Sequence, residues 1–294
     1  MIGELYALLA ALAYGAAGVA IQRGRATARG DNGVFLSVLV TAALTFSIWA
    51  LWGRVPLDAL LAPDTAPAIG LFVAAGLLST VLGRTWMFRA TERTGPVTAS
   101  LLRRLTPVFG LPLAFVMLSE LPDGATLAGA ALVLAGVMIY LPPRALRTGT
   151  LSRIGLAFGV GSAGAYALAY TLRSAALEPL PDAALGTCIG ALAGLVWIVA
   201  TASLRRGRKG RLTALVVDHG PWHLLAALAL SLGQFLQFLA LQTTTVVSVA
   251  TLGTLEVVFA ALLLAALTGQ RPAQLPRLIG AGAVALAGTA LMLR

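Results

Sequence analysis

Residues 124–141, GATLAGAALVLAGVMIYL, form an apolar run without a single charged side chain. As a helix at 1.5 Å per residue, this run is about 27 Å long, close to the roughly 30 Å of hydrocarbon in a bilayer. Its apolar residues do not alternate with polar ones, as they would in a strand of a membrane β-barrel. The stretch therefore predicts a transmembrane helix.

Comparable runs recur along the whole chain. Apolar residues make up 59% of the 294 residues and charged residues 11%, against about 45–50% and 25% in soluble domains. The sequence therefore predicts an all-α integral membrane protein. Proline, glycine and charged residues separate ten predicted transmembrane helices, at 4–22, 33–53, 67–88, 96–118, 124–141, 153–173, 183–204, 221–241, 246–268 and 276–293.

An internal repeat divides the chain near a polar link at 141–152. Identical residues recur at a nearly constant spacing in the two halves, which is typical of a duplicated unit. The matched pairs include Gly83 and Gly233, Leu105 and Leu255, Phe109 and Phe259, Tyr14 and Tyr166, and Gly136 and Gly288. The predicted halves are residues 1–147 and 148–294, with five helices each.

The odd number of helices in each half determines how the halves are related. After five crossings the chain enters its second half from the opposite side of the membrane. The sequence therefore predicts two inverted five-helix repeats around a central cavity, the arrangement that transporters use for alternating access.

Basic residues predict the orientation in the membrane. Fifteen of the 21 Lys and Arg residues fall in loops on one face, and Arg54, Arg173 and Arg294 fall on the other. Loops rich in Lys and Arg remain cytoplasmic. We therefore expect a multi-pass protein of a bacterial-type inner (cell) membrane, with cytoplasmic basic loops and both termini on the outer side.

The stretch 99–137, ASLLRRLTPVFGLPLAFVMLSELPDGATLAGAALVLAGV, contains the step Thr106-Pro107-Val108, an apolar run closed by Ser119-Glu120, and a Gly-x6-Gly helix. It resembles the fourth and fifth helices of EamA-type members of the drug/metabolite transporter superfamily. Residues 249–288 repeat it more loosely, with Glu256-Val257 in place of the Thr-Pro step. The segments AYGAAGVAIQ and AYALAYTL, which contain Tyr14 and Tyr166, are similar to the first helices of that family's two halves.

This resemblance extends over the whole chain and implies ten helices in an inverted five-plus-five repeat around a central cavity. It also implies transport of small solutes such as amino acids, organic ions or other metabolites, often as efflux. Members of the family commonly have cytoplasmic termini, whereas the basic residues place them outside. We follow the count of basic residues because it is a property of this chain.

Glu256 lies about eleven residues into the ninth predicted helix, near the membrane midplane. An ionisable group at that depth costs about 2.5–3.5 kcal/mol on insertion scales, so it is a functional candidate by default. One interpretation is a carboxylate that binds substrate or carries a coupling proton. The other is a structural carboxylate paired with an arginine of a neighbouring helix.

Arg103 and Arg104 lie about eight residues inside the fourth predicted helix. Neighbouring helix positions point about 100° apart, so we expect at most one of them to face the cavity squarely. That guanidinium would bind a carboxylate or phosphate, or pair with Glu256; the alternative is that both extend to the cytoplasmic interface. Arg84, near the end of the third helix, is expected to extend to the interface.

Aromatic and amide side chains within the helices are candidates for the wall of a substrate cavity. Tyr166 and Tyr170 are four residues apart and therefore share one helix face. Core packing is the alternative for each of these side chains. The predicted substrate-binding residues are Tyr14, Trp86, Arg103, Arg104, Tyr166, Tyr170, Gln234, Gln237 and Glu256.

No motif predicts catalysis, a cofactor or a metal site. The sequence has no Gly-x4-Gly-Lys-Ser/Thr loop for ATP. The net charge of +10 resides in the predicted loops, so membrane topology explains it and no nucleic-acid partner is expected. The expected partners are a small-molecule substrate, the lipid bilayer and a proton as coupling ion, for a monomer or homodimer.

The leading functional prediction is a secondary active transporter, and not an enzyme. It is expected to export a small polar metabolite, such as an amino acid or organic anion, by alternating access. The arginines at membrane depth favour an anionic or zwitterionic solute. The alternatives are a membrane-embedded lipid-headgroup flippase or enzyme, and a non-transporting subunit or receptor.

Overall fold

The computed structural model describes residues 2–56, 58–106, 108–110, 112–113, 124–140, 152–204, 208–243, 252–253, 255–269 and 275–292. All regular elements within these ranges are helices. They are α1 (Ile2–Gly24), α2 (Val34–Trp52), α3 (Ala66–Gly76), α4 (Thr85–Thr94), α5 (Pro96–Arg103), α6 (Gly124–Tyr140), α7 (Arg153–Leu177), α8 (Ala183–Leu204), α9 (Arg208–Val216), α10 (Pro221–Thr243), α11 (Glu256–Thr268) and α12 (Leu275–Met292). A π-helical segment, Leu77–Arg84, joins α3 to α4.

Six of the helical segments are long and apolar enough to cross a membrane. Three shorter apolar helices lie at Leu127–Gly136, Glu256–Leu267 and Pro276–Gly288. Helical residues occur within all ten intervals predicted from the sequence. The protein is therefore a multi-pass, all-helical membrane protein. The family-like residues Pro107, Ser119 and Glu120 lie outside the described ranges.

The third helix extends further than predicted. α3, the π-helical segment and α4 are continuous, and the helix ends at Thr94 instead of near residue 88. Gly95 ends it with a φ of 83°, a conformation that favours glycine, and Pro96 begins α5. The sequence interpretation was wrong here because it placed the end where charged residues begin, although a helix continues readily into water.

The fourth and ninth predicted helices contain the same tightened turn. The amide of Leu105 donates to the carbonyl of Leu102 at 3.0 Å, and the amide of Leu255 donates to the carbonyl of Leu252 at 3.0 Å. Each bond spans three residues instead of the four of an α-helix. The two turns are 150 residues apart, which is the spacing of the predicted repeat, and both depart from regular α-helix in the same way.

Helix neighbours are exchanged between the halves. α1 packs against α10 and α11, whereas α7, the equivalent of α1, packs against α5 and the long helix formed by α3 and α4. Likewise α2 contacts α10 and α8 contacts α3. α6 contacts α12, and α2 contacts α8. The two halves are therefore packed through matching pairs of helices.

α6 and α12 approach closely at two glycines. A Cβ on Gly136 would lie 2.7 Å from the carbonyl oxygen of Ala281, and a Cβ on Gly288 would lie 2.6 Å from the carbonyl oxygen of Gly129. The later residue of each helix contacts the earlier part of the other, so these equivalent helices run antiparallel. Glycine is required at both points because any side chain would meet backbone.

Aspartates cap two equivalent helices. Asp31 Oδ2 accepts the amide of Phe35 at 2.7 Å before α2, and Asp182 Oδ1 accepts the amide of Leu185 at 2.9 Å before α8. A carboxylate at a helix N-terminus satisfies a free N–H and interacts favourably with the helix dipole. Burial nevertheless raises the pKa of Asp31 to about 6.

Candidate substrate site

A single carboxylate, Glu256, accepts hydrogen bonds from two arginines. Its Oε1 is 3.2 Å from Arg103 Nη1 and 2.8 Å from the Ser100 hydroxyl, and its Oε2 is 2.6 Å from Arg104 Nη2. Only 3% of Glu256 is exposed. Both oxygens of this carboxylate are thus engaged, and the structure brings Glu256 together with both arginines selected from the sequence.

The turn at the end of α5 explains why two adjacent arginines reach one carboxylate. α5 ends at Arg103, and the amide of Arg104 donates to the carbonyl of Leu101 at 3.0 Å. We expected at most one of the two arginines to face the cavity squarely, and Arg103 lines both cavities described below, whereas Arg104 is absent from their lining. Both side chains are buried, so neither adopts the alternative position at the membrane interface.

Glu256 lies at the start of a helix. It is the first residue of α11, and the tightened turn at Leu255 precedes it. The sequence had placed it in the middle of a continuous helix; the part of that interval before residue 252 lies outside the described residues. The positive end of the helix dipole stabilises a carboxylate in this position.

Arg103 lies between two tyrosines that are repeat equivalents. Its guanidinium carbon is 4.4 Å from the ring centroid of Tyr14 and 5.4 Å from that of Tyr166, distances at which a cation is attracted to the ring face. Each ring packs on a glycine of the other half. A Cβ on Gly233 would lie 3.0 Å from Tyr14, and a Cβ on Gly83 would lie 3.1 Å from Tyr166.

Gln237 connects the tyrosines through its amide oxygen. Its Oε1 accepts the hydroxyl of Tyr14 at 3.0 Å and the hydroxyl of Tyr170 at 3.2 Å. The rings of Tyr166 and Tyr170 are 5.9 Å apart, as expected for residues that share a helix face. One amide thereby positions aromatic side chains from both halves around Arg103.

Arg84 is buried in the interior. Its Nη1 donates to the hydroxyls of Ser37 at 3.2 Å and Thr41 at 3.0 Å, and its Nη2 donates to Gln234 Oε1 at 2.7 Å. Only 4% of Arg84 is exposed, so the expectation that it extends to the interface was wrong. That expectation relied on the predicted end of the third helix, which in fact continues ten residues beyond Arg84 as α4.

Arg173 is the second unexpected arginine. It lies within α7 and is 4% exposed, although the sequence interpretation assigned it to an outer loop. Its Nη2 donates to the Ser79 hydroxyl at 2.5 Å, and its guanidinium lies 5.0 Å from the ring centroid of Phe238. α7 extends past residue 173, where the predicted helix ended, and this carries Arg173 into the bundle.

The π-helical segment positions both of these contacts. It contains Ser79 and ends at Arg84. The carbonyl of Gly83 accepts the hydroxyl of Ser162 at 2.7 Å, which ties this segment to α7. π-Helical segments are rare and occur frequently at functional sites.

Two small cavities meet at Tyr14 and Arg103. The first is lined by Tyr14, Arg84, Arg103, Tyr166, Tyr170, Arg173, Leu230 and Gln234. The second extends between α1 and α4 and reaches Ser100 and Glu256. Each has a volume of about 10 Å³, which is room for about one water molecule. A metabolite therefore requires the helices to move apart.

All of the predicted binding residues except Trp86 take part in this cluster. Trp86 packs on Phe158, with ring centroids 6.5 Å apart, and covers Gly161. This contact joins α4 to α7. Within the described ranges, no group of three or more His, Cys, Asp or Glu side chains is arranged to hold a metal ion.

The sequence contained signals for both missed arginines. Arg173 follows Tyr166 and Tyr170 with helical spacing of four and then three residues, which places all three on one face. Arg84 falls on Gln234 at the same spacing that matches Gly83 with Gly233. Both arginines could therefore have been selected by their spacing from matched or aromatic positions. Their distance from a predicted helix end was misleading.

The architecture defines a class of protein. It is a membrane-spanning helical bundle whose buried arginines and one carboxylate surround internal cavities. Residues 1–141 match the model of the EamA-like transporter family. This match indicates a membrane transporter of the drug/metabolite transporter type.

A solved structure supports the fold over the full length. It is described only as the crystal structure of a protein; the comparison covers 98% of this chain and 94% of that chain, with 18% identity and a TM-score of 0.64. At this identity the similarity concerns the fold alone. No curated protein matches the chain significantly.

Proposed function

We propose that the protein is a secondary active transporter that exports a small polar metabolite, an amino acid or an organic anion, by alternating access. The observation that carries this proposal is the buried cluster of Arg103, Arg104 and Glu256 between α5 and α11. Ionisable groups at membrane depth are costly and mark substrate or proton pathways. Here they border two cavities, which gives them access to a solute.

Ten transmembrane helices in two inverted repeats, residues 1–147 and 148–294, provide the mechanical basis of this proposal. Three observations support the arrangement: the equivalent turns at Leu105 and Leu255, the exchanged helix neighbours, and the antiparallel packing of α6 on α12. A twofold axis in the membrane plane relates such repeats. Rocking of one repeat against the other then opens the cavities alternately to each side.

The ion pair supplies a switch for this cycle. Substrate carboxylate or phosphate competes with Glu256 for Arg103 and Arg104, because guanidinium groups bind such anions through paired hydrogen bonds. A proton on Glu256 has a similar effect, since it removes the negative charge that holds both arginines. Substrate and proton therefore act on the same contact, which couples their movements.

The proposed location is a bacterial-type inner membrane, with the basic loops in the cytoplasm and both termini outside. The chain has one cysteine, Cys188, which is buried, so a cysteine-free background requires a single replacement. Single cysteines at exposed Arg25 and Arg54 are expected to react with a membrane-impermeant reagent on opposite sides. Labelling of the Arg25 position in intact cells would contradict this orientation.

A ligand screen followed by counterflow tests the function. Purified protein is screened by thermal shift against amino acids, organic acids, amines and nucleotide sugars. A solute that raises the melting temperature should then exchange across proteoliposomes containing the protein and not across empty ones. Stabilising solutes that never exchange would contradict the assignment as a transporter.

A further inference from the structure

We propose that Arg84 and Arg173 form the receiving site for a small dianion, either a phosphate ester or a dicarboxylate, in the first cavity. This inference rests on the proposed function, because it names the substrate class of that transporter. It concerns two side chains that the sequence interpretation had placed at the membrane surface. Both line the cavity together with Arg103.

The charges around the first cavity do not balance. Arg103 and Arg104 share the carboxylate of Glu256, which has both oxygens engaged. Arg84 and Arg173, in contrast, donate only to neutral oxygens, those of Ser37, Thr41, Gln234 and Ser79. Among the described residues no carboxylate forms an ion pair with either of them. Arg84 and Arg173 therefore carry two positive charges that no described carboxylate neutralises.

The burial of these charges sets the charge of the ligand. Each arginine is 4% exposed, and the two guanidinium groups repel each other. A buried charge without a counter-ion raises the free energy of the folded protein. A bound anion lowers that free energy most when it neutralises the buried charge. A dianion matches the two positive charges of Arg84 and Arg173, whereas a monoanion would leave one of them and a zwitterion would bring another. Because Arg103 and Arg104 share the single negative charge of Glu256, one positive charge remains there with a dianion bound.

The geometry of the two side chains suits an anion with several oxygens. A guanidinium has five N–H groups in a planar fork, and Arg173 uses one group on Ser79. Arg84 is held by Ser37 and Thr41 of α2 and by Gln234 of α10, so its fork is fixed before the ligand arrives. Tyr166 lines the same cavity and has a hydroxyl that can serve as a neutral donor, whereas the hydroxyl of Tyr170 donates to Gln237. Oxygens of phosphate or of two carboxylates match these donors.

The first experiment compares ligands of matched shape on the wild-type protein. Thermal shift is measured with succinate against its monomethyl ester, and with glycerol phosphate against glycerol. We expect the dianion of at least one pair to bind at least tenfold more tightly than its partner. The pair that responds distinguishes a dicarboxylate from a phosphate ester. Binding of the dianion no tighter than that of its monoanionic or neutral partner, in both pairs, would overturn the proposal.

The second experiment removes the charges one at a time. Arg84→Gln and Arg173→Gln should each abolish stabilisation by the dianion, and Arg173→Lys should retain part of it because the charge remains. Arg54→Gln is the matched control, since Arg54 is exposed and does not line the cavity. Melting without ligand verifies folding; if a Gln variant unfolds, the wild-type ligand pairs decide. Undiminished binding in both folded variants contradicts the site.

Counterflow separates this inference from the proposed function. If a dianion binds through Arg84 and Arg173 but does not exchange across proteoliposomes, the binding site is supported and the function as a transporter is contradicted. If the protein exchanges a cation or a neutral solute and binds no dianion, the function as a transporter is supported and the dianion site is contradicted. Exchange of the dianion itself supports both.

Discussion

The turn that ends at Leu105 and the turn that ends at Leu255 are closed by the same kind of hydrogen bond and are followed or flanked by side chains of opposite charge. Both are closed by a bond between leucines three residues apart. The first bears Arg103 and Arg104, whereas the second bears Glu256. Two turns with the same closing hydrogen bond thus present side chains of opposite charge, and these side chains bind each other.

The same contrast holds where the long third helix meets α10. The equivalent glycines Gly83 and Gly233 are retained, and each receives a tyrosine ring of the opposite half. The next residues, Arg84 and Gln234, have diverged into donor and acceptor and bond to each other at 2.7 Å. The two matched positions that pack against a ring are both glycine, whereas the two matched positions that follow them differ in charge. Four predictions test this division.

The largest effect is expected from Glu256→Gln, which removes the negative charge that pairs with Arg103 and Arg104. Both arginines lose their counter-ion, and removing one partner of a buried ion pair costs about 3–5 kcal/mol. We expect a lower melting temperature and loss of proton-driven flux in proteoliposomes. Glu178→Gln, at an exposed position after α7, is the control and should change neither. Unchanged pH dependence of flux in Glu256→Gln would exclude this carboxylate from coupling.

Replacement of Gly136 or Gly288 by alanine breaks the symmetric packing of α6 on α12. The added methyl would lie 2.7 or 2.6 Å from a backbone oxygen, so the helices must separate. We expect each variant to lose about 1–3 kcal/mol, by thermal melting, and to lose it equally. Gly282→Ala adds the same methyl to open space on α12. A loss in that control equal to the others would contradict the role of close approach.

A smaller effect is expected from Gly83→Ala and Gly233→Ala. Here the methyl meets a tyrosine ring at 3.1 or 3.0 Å, and a side chain shifts more easily than backbone. Displacement of the rings from Arg103 should slow counterflow several-fold, with less than about 1 kcal/mol lost in stability. Gly70→Ala, in open space on α3, is the control. Variants with wild-type flux would show that ring position is not important for transport.

The last prediction concerns the cap of α2, where no effect on transport is expected. Because burial raises the pKa of Asp31 to about 6, above the ordinary value of 3.8, folding favours the protonated carboxyl. That contribution is present at low pH and is lost as the pH rises through about 6. The melting temperature of the wild type should therefore fall between pH 5 and pH 7 relative to Asp31→Asn. Identical pH profiles would contradict the raised pKa.

Sequence reasoning identified much of the candidate site because chemistry at membrane depth is scarce. Glu256, Arg103 and Arg104 stood out as charges within apolar runs, and their meeting followed from the equivalence of the fourth and ninth helices. Arg84 and Arg173 were missed for one reason. Their assignment depended on helix ends, and sequence patterns define the ends of helices less well than their centres.

The sequence by itself determined that the chain crosses the membrane many times, predicted two similar halves, and revealed a resemblance to EamA-type transporters that the family match over residues 1–141 supports. These properties follow from local hydropathy and from spacing along the chain. Only the tertiary structure decided which arginines lie inside, that one carboxylate holds two of them, and that a π-helical segment carries Arg84 to α2 and α10. Such pairings depend on helix rotation and length, because a shift of one residue turns a side chain by about 100° from cavity to lipid.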